Sequence, residues 1–151
     1  MDNHIDKTLS RLAAVQSYFQ SFFDKQSLKT LETEFNNYRY NKILDKDNIN
    51  LNYDKFFFKD LISYIENFNE NYDKKNFFLQ YLIGKRPFER LDLITKVILI
   101  VGTSEILQNN KLSKKIIINE YVNIAKSFLS KPEVSMINAI LDKIYDSNKK
   151  V

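Results

Sequence analysis

The stretch Ile116–Phe128, with the sequence IIINEYVNIAKSF, decides the fold of this 151-residue chain. Apolar side chains recur along it every three or four residues, at Ile117, Tyr121, Ile124 and Phe128. This spacing is typical of one buried face of an α-helix. We therefore predict a helix whose buried stripe includes all four side chains.

Polar side chains interrupt the apolar surface of this helix and of the helix that follows it. Asn119 and Glu120 lie in the middle of the first, and Asn138 lies within the segment Met136–Lys143, MINAILDK. A polar group on a buried face costs free energy unless it is hydrogen-bonded. We therefore predict that these side chains satisfy one another as a polar clasp between the last two helices. Replacing Asn119 or Glu120 by alanine should then lower the stability by about 1–3 kcal/mol.

Composition points to a helical protein. The chain has only two glycines and two prolines, so it has few residues that favour tight turns. Its length suits one domain with a substantial core. We predict an all-α fold, a compact bundle of about seven helices, in a single domain over residues 1–151.

The same composition excludes several classes of function. There is no cysteine and one histidine, His4, so neither thiolate nor multi-histidine metal sites nor Ser-His catalytic sets can form. No glycine-rich phosphate loop is present, and the carboxylates are dispersed. No apolar run approaches the ~20 residues of a membrane span. We expect a soluble, cytoplasmic protein that is not an enzyme and carries no cofactor or metal.

Periodicity and capping signals locate the seven helices. In chain order, the predicted first residues or caps are Asn3, Ser27, Asp54, Asp73, Pro87, Ser113 and Pro132. The Asn- and Asp-rich segment 41–52 is predicted to be a loop, and the tail from Ser147 to be frayed. Gly84–Pro87 is the clearest break, which divides the domain into helical halves of about 1–84 and 85–151.

The net charge of +4 is concentrated at one end of the chain. Residues 111–151 contain eight lysines and four carboxylates, whereas the charges of the preceding residues cancel. A local basic excess suits binding to phosphates, although scattered lysines are also typical of a solvated face.

Four segments together resemble the NusB family of transcription antitermination factors. Ile118–Phe128 is similar to the family segment I-N-E-A-[VI]-E-L-A-K-x-F, and Met136–Ile144 to F-V-N-G-V-L-D-K-[IA], at the same separation. Upstream, Phe57–Ile62 resembles Y-F-x-x-L-[LV], and Arg11–Phe19 resembles R-x-x-A-[LV]-Q-x-L-Y. The similarity extends over nearly the whole chain.

The resemblance implies an all-helical RNA-binding protein of one domain with two helical subdomains, without enzymatic activity. Members of the family pair with the small-subunit ribosomal protein that doubles as NusE. Together they bind the boxA element of nascent RNA. They act on the RNA polymerase elongation complex with other Nus factors, and so support transcription of ribosomal RNA.

The matched segments and the basic end of the chain supply candidate site residues. For RNA binding these are Lys7, Arg11, Lys96, Lys126, Lys131 and Asn138. For binding of the partner protein they are Tyr18, Phe19 and Phe22, because they make the apolar face of the first helix wider than one neighbour needs. Each has an alternative interpretation as a solvated cation, a structural hydrogen-bonding group or a core aromatic.

Departures from the family pattern keep a second function open. The family's first helix begins with an arginine-rich run, of which only Lys7 and Arg11 remain here. Ile100 and Ser104 replace a basic residue and an aromatic, and Met136 replaces a phenylalanine that could stack on a base. The alternative is a NusB-like protein-interaction scaffold with weak or lost RNA binding. The related module of rRNA cytosine methyltransferases is disfavoured because no methyltransferase domain follows.

Overall fold

The computed structural model describes residues 4–44, 47, 50–108 and 111–149. Within these ranges there are seven α-helices, which confirms the predicted all-α class. They are α1 His4–Ser21, α2 Leu28–Arg39, α3 Lys55–Asn71, α4 Lys74–Leu79, α5 Leu93–Gln108, α6 Lys114–Lys126 and α7 Lys131–Lys149. The predicted first residue, Asn3, lies outside the described ranges.

The chain forms two compact units, Met1–Ser63 and Tyr64–Val151. The division falls within α3, whereas the glycine–proline break of the sequence lies inside the second unit. The predicted halves of 1–84 and 85–151 therefore do not coincide with these units.

Hydrogen bonds at the helix starts explain why the capping signals located the helices well. The capping acceptors are Ser27 Oγ for the Thr30 N–H (3.1 Å), Asp54 Oδ1 for the N–H groups of Phe56 (2.9 Å) and Phe57 (3.0 Å), and Ser113 Oγ for the Ile116 N–H (3.3 Å). Each satisfies a backbone donor that the first helical turn leaves without a helical partner. Asp73 precedes α4 as predicted but makes no such bond.

In the first unit, aromatic rings join α2 to α3. The rings of Phe35, Tyr53 and Phe58 meet edge to face, with centroids 5.4–5.6 Å apart. Between the two helices, β1 (Ile43–Leu44) pairs with β2 (Asn50–Leu51) in antiparallel fashion. The segment predicted as a loop therefore contains a short strand pair.

The buried face of α1 differs from the face that periodicity suggests. The large apolar side chain of Ile5 is half exposed, whereas small residues such as Ser10, Ala13, Ala14 and Ser17 are buried. Small side chains carry little apolar signal in a sequence, yet they let neighbouring backbone approach closely. For that reason apolar periodicity misplaced this face.

In the second unit, α5 is buried along almost its whole length, and its residues 97–101 are all apolar. A Cβ at Gly102 would lie 3.2 Å from Leu141 Cδ1 and 3.3 Å from Tyr121 Cγ. Glycine at this position therefore permits the close packing of α5 against α6 and α7.

The connection from α4 to α5 differs from its prediction. Gly84 has φ +74° and lies in a turn closed by the Lys85 N–H to Leu82 carbonyl hydrogen bond of 2.9 Å, beyond the end of α4. Pro87 precedes a 3-10 turn, Phe88–Arg90, instead of opening α5. A proline fixes φ for either kind of helical turn, so the sequence signal does not distinguish them.

The end of α7 is held by side-chain hydrogen bonds, so fraying from Ser147 was a wrong prediction. Asn148 Nδ2 donates to the Ile106 carbonyl at 3.2 Å, and the Tyr145 hydroxyl donates to the Leu112 carbonyl at 2.9 Å. Among the described helices, none combines the length and the apolar character that crossing a membrane requires.

Candidate nucleic-acid interface

The two candidate cations of α1, Lys7 and Arg11, lie on one helical face as their spacing predicts, but both are engaged within the first unit. Lys7 Nζ lies 5.2 Å and Arg11 Cζ 4.9 Å from the centre of the Phe57 ring. Lys7 also forms an ion pair with Asp54. Only 4% of Arg11 is exposed. Arg11 is therefore a structural residue of the α1–α3 packing and presents little surface to a phosphate.

Asp54 connects this pair to the start of α3. Its carboxylate accepts the capping bonds of α3, and its backbone N–H donates to Ser10 Oγ at 2.8 Å. The hydrogen bond from Lys7 and the backbone donors hold the pKa of Asp54 below its ordinary value. The ionised form of Asp54 is thus part of the structure that joins α1 to α3.

The candidates of the second unit are more accessible. Lys126 ends α6, Lys131 begins α7, and both are exposed. Asn138 is also exposed and lies seven residues after Lys131, which brings both side chains to the same face of α7. These three side chains can therefore meet a ligand without leaving a partner in the core.

Lys96, in the first turns of α5, is less accessible. It is half-buried, and its Nζ donates to the Glu89 carbonyl at 3.3 Å. This contact ties α5 to the preceding 3-10 turn. Lys96 is consequently the weakest candidate of the second unit.

The polar clasp is a wrong prediction. Asn119 and Asn138 are exposed and Glu120 is half-exposed, so these side chains do not lie between packed helices. The error arose because an interruption of an apolar pattern also occurs where the helix face turns to solvent.

The buried polar contact of this region is made by other residues. The Tyr121 hydroxyl donates to Glu105 Oε1 at 2.5 Å, and neither side chain is exposed to solvent. Glu105 lies in the most apolar helix, α5, and sequence reasoning did not select it. A carboxylate inside an otherwise apolar helix was the signal that could have found it, because a buried carboxylate requires a hydrogen-bond donor.

Phe128 departs from the buried stripe predicted for α6. It is 46% exposed, because α6 ends before it. The Ser127 N–H donates to the Ile124 carbonyl (3.1 Å) and the Phe128 N–H to the Ala125 carbonyl (3.0 Å), which are the tighter bonds of a terminal turn. The ring therefore projects from the turn that links Lys126 to Lys131.

The candidate partner face at the end of α1 contains one buried and several accessible rings. Tyr18 is buried and contacts Phe22, with centroids 5.1 Å apart. Phe19 is half-buried and contacts Phe23 at 5.2 Å. Phe22 and Phe23 are 50% and 65% exposed. Phe23 follows the end of α1 and extends the aromatic surface.

The described residues contain no candidate metal centre. In those ranges, no three His, Cys, Asp or Glu side chains lie close enough together to hold a metal ion. What the structure presents is exposed cations, an amide and exposed rings on helices.

Comparison with known structures defines the class of fold. The chain is similar to T. maritima NusB, with a TM-score of 0.69 over 95% of this chain and 96% of that one, at 23% sequence identity. It therefore has the fold of that all-helical protein.

Sequence comparison identifies the family. The NusB family model matches residues 8–146, so the chain belongs to the NusB family. A transcription antitermination protein NusB of Caulobacter vibrioides is 30% identical over 91% of this chain and 91% of its own length. That of Sinorhizobium medicae is 31% identical over 89% of this chain and 82% of its own length.

Proposed function

We propose that this protein is a cytoplasmic transcription antitermination factor that binds a boxA-like single-stranded RNA together with the ribosomal protein NusE. It would act on the RNA polymerase elongation complex through other Nus factors and support ribosomal RNA synthesis. Membership of the NusB family supports this proposal. The observation that carries the RNA-binding part is the exposure of Lys126, Lys131 and Asn138 in the basic third of the chain.

The six candidate residues do not contribute equally to this proposal. Single-stranded RNA is bound by cations on phosphates and by contacts to unpaired bases. Lys126 and Lys131 supply accessible cations, and Asn138 supplies an amide that can donate and accept hydrogen bonds. Lys7 and Lys96 would have to leave internal contacts, and Arg11 stabilises α1 against α3.

A salt-titrated binding assay tests the proposal. A boxA-like single strand is titrated with the protein, with and without NusE, over a range of salt concentrations. Replacing Lys126 and Lys131 together by methionine should reduce the slope of log K against log salt by about 1.4, since each single-strand phosphate contact contributes ~0.7. The matched control replaces Lys25 and Lys29, exposed lysines near the start of α2, in the same way. Absence of binding at low salt even with NusE contradicts RNA binding.

One observation favours the alternative of a protein-interaction scaffold. Lys7 and Arg11 of α1 are engaged internally, whereas Phe22 and Phe23, which follow the end of the same helix, remain exposed. In this alternative the rings bind NusE and RNA adds little. Replacing Phe22 and Phe23 by serine should weaken NusE binding in both cases, so only the RNA titration separates the two functions.

A further inference from the structure

We propose that Phe128 is a stacking platform for one unpaired base of the bound RNA, with the neighbouring phosphates on Lys126 and Lys131. This inference rests on the proposed function, because it concerns the RNA that the protein binds. It assigns to the α6–α7 turn, residues Lys126–Lys131, a contact with a base as well as with the backbone.

The Phe128 ring lies in an exposed position after the end of α6. Phe128 follows the last turn of a helix in which Ile117, Tyr121 and Ile124 are buried, whereas Ile116, in its first turn, is exposed. Nearly half of its surface remains in water. Leaving an aromatic side chain so exposed forgoes part of the free energy that burial would contribute, about 25 cal/mol per Å² of apolar surface.

The backbone that carries the ring is ordered by hydrogen bonds. Three backbone hydrogen bonds of 2.9–3.1 Å define the turn: those of Ser127 and Phe128, and that from the Leu129 N–H to the Ala125 carbonyl. On its other side, Glu133 Oε1 accepts from the Ser130 hydroxyl (2.8 Å) and the Ser130 N–H (3.3 Å), which fixes the start of α7. A platform whose backbone is already ordered loses little conformational entropy when a base stacks on it.

The charge of the α6–α7 turn also suits a nucleic acid. The α6–α7 turn carries Lys126 and Lys131, both exposed, and the carboxylate nearest to it in the sequence, Glu133, accepts the hydrogen bonds of Ser130. Phe128 lies between these two cations in the sequence, and proteins bind single strands with bases stacked on aromatic rings and phosphates on cations.

Phe56 provides the contrast. It is 83% exposed, more than Phe128, but its surroundings contain both signs of charge. Exposed Lys55 and Lys59 flank it in the sequence, but Asp54 and Asp60 adjoin these lysines, and Lys55 Nζ lies 3.9 Å from the centre of the Tyr40 ring. Exposure and flanking lysines therefore do not by themselves select Phe128. What distinguishes it is that no carboxylate adjoins Lys126 or Lys131 in the sequence.

Fluorescence tests the stacking directly, because the chain contains no tryptophan. The variant Phe128→Trp introduces a single fluorophore at the platform, and Phe56→Trp introduces one at the control position. A boxA-like single strand should quench the first in a saturable manner and leave the second unchanged. Inorganic polyphosphate, which offers phosphates without bases, should quench neither.

Affinity measurements complete the test. Phe128→Leu should weaken binding of the single strand by about tenfold, the effect expected when a stacked base loses its aromatic partner. Phe128→Tyr should restore the affinity, and Phe56→Leu should leave it unchanged. Circular dichroism and the melting temperature establish that each variant is folded.

The possible failures are distinguishable. If the wild-type protein does not bind the single strand at low salt with NusE present, the proposed function fails. If the wild type binds but Phe128→Leu binds equally well, or both tryptophan variants are quenched alike, the stacking platform is wrong and the proposed function stands.

Discussion

The basic residues of α1 and those of the α6–α7 turn are of similar chemical types, yet their surroundings differ. In the first unit, Lys7 and Arg11 lie against Phe57, and Lys7 pairs with the carboxylate that caps α3. In the second unit, Lys126 and Lys131 are exposed at the end of one helix and the start of the next. The difference teaches that a cation's availability depends on the carboxylates and rings beside it, which a count of charges does not reveal.

The largest expected effect concerns the buried hydrogen bond between α6 and α5. Tyr121→Phe removes the hydroxyl that donates to buried Glu105, so the free energy of unfolding should fall by about 1–3 kcal/mol. Tyr145→Phe is the matched control, since its hydroxyl bonds to a carbonyl in a partly buried position. Chemical denaturation measures both variants. An equal or smaller loss for Tyr121→Phe would mean that this contact does not stabilise α6 against α5.

The next effect concerns the first unit. Asp54→Ala removes the cap of α3 and the partner of Lys7, and should lower the free energy of unfolding by about 0.5–2 kcal/mol. Asp73→Ala, at the start of α4, removes a residue without a capping bond and should cost less. A similar loss in both variants would contradict the structural role of the Asp54 carboxylate.

The contribution of Asp54 to the free energy of unfolding should depend on pH. The pKa of Asp54 is lowered in the folded state, chiefly by the hydrogen bond from Lys7. Its stabilising contribution is therefore present above the unfolded pKa of about 4 and is lost as the pH falls through the lower folded value. Stability measured from neutral pH downward should consequently fall more steeply in the wild type than in Asp54→Ala.

One substitution in each region tests whether the lysines of α1 and of the α6–α7 turn differ in function. Lys7→Met should lower stability by about 0.5–1 kcal/mol, because it removes an ion pair and a cation–π contact, and should leave the salt dependence of RNA binding nearly unchanged. Lys126→Met should leave stability unchanged and reduce the salt slope by ~0.7. Denaturation and RNA titration are measured on both. If Lys7→Met reduces the salt slope as much as Lys126→Met does, the two regions are equivalent in function.

Much of the fold could be predicted from the sequence, because helix starts carry a chemical signal. Ser27, Asp54 and Ser113 accept backbone N–H bonds where their residue types indicated. Helix ends are less well marked. Phe23 and Phe128 continue an apolar pattern, yet both follow the last helical turn and are exposed. Apolar periodicity identifies a face but does not indicate where the helix that carries it stops.

The candidate site was harder to predict for a related reason. The sequence places Lys7, Arg11 and Lys126 in the same class of exposed cations, because their neighbours in space are far away along the chain. Asp54 is 47 residues from Lys7. Glu105 was missed in the same way, since its partner, Tyr121, lies on another helix. Long-range partners decide which polar groups are structural and which remain available.

The smallest expected effect replaces the prediction of a polar clasp. Asn119 is exposed on α6, so Asn119→Ala removes no buried hydrogen bond, and alanine is the stronger helix former. The free energy of unfolding should therefore change by no more than about 0.5 kcal/mol. Chemical denaturation measures this variant and Tyr121→Phe side by side. The loss for Tyr121→Phe is the reference value, because the two positions are two residues apart on one helix. A loss of unfolding free energy for Asn119→Ala as large as that for Tyr121→Phe would support the polar clasp. A small change would mean that the polar contact holding this helix runs from Tyr121 to α5, which leaves the exposed face of α6 available to a ligand.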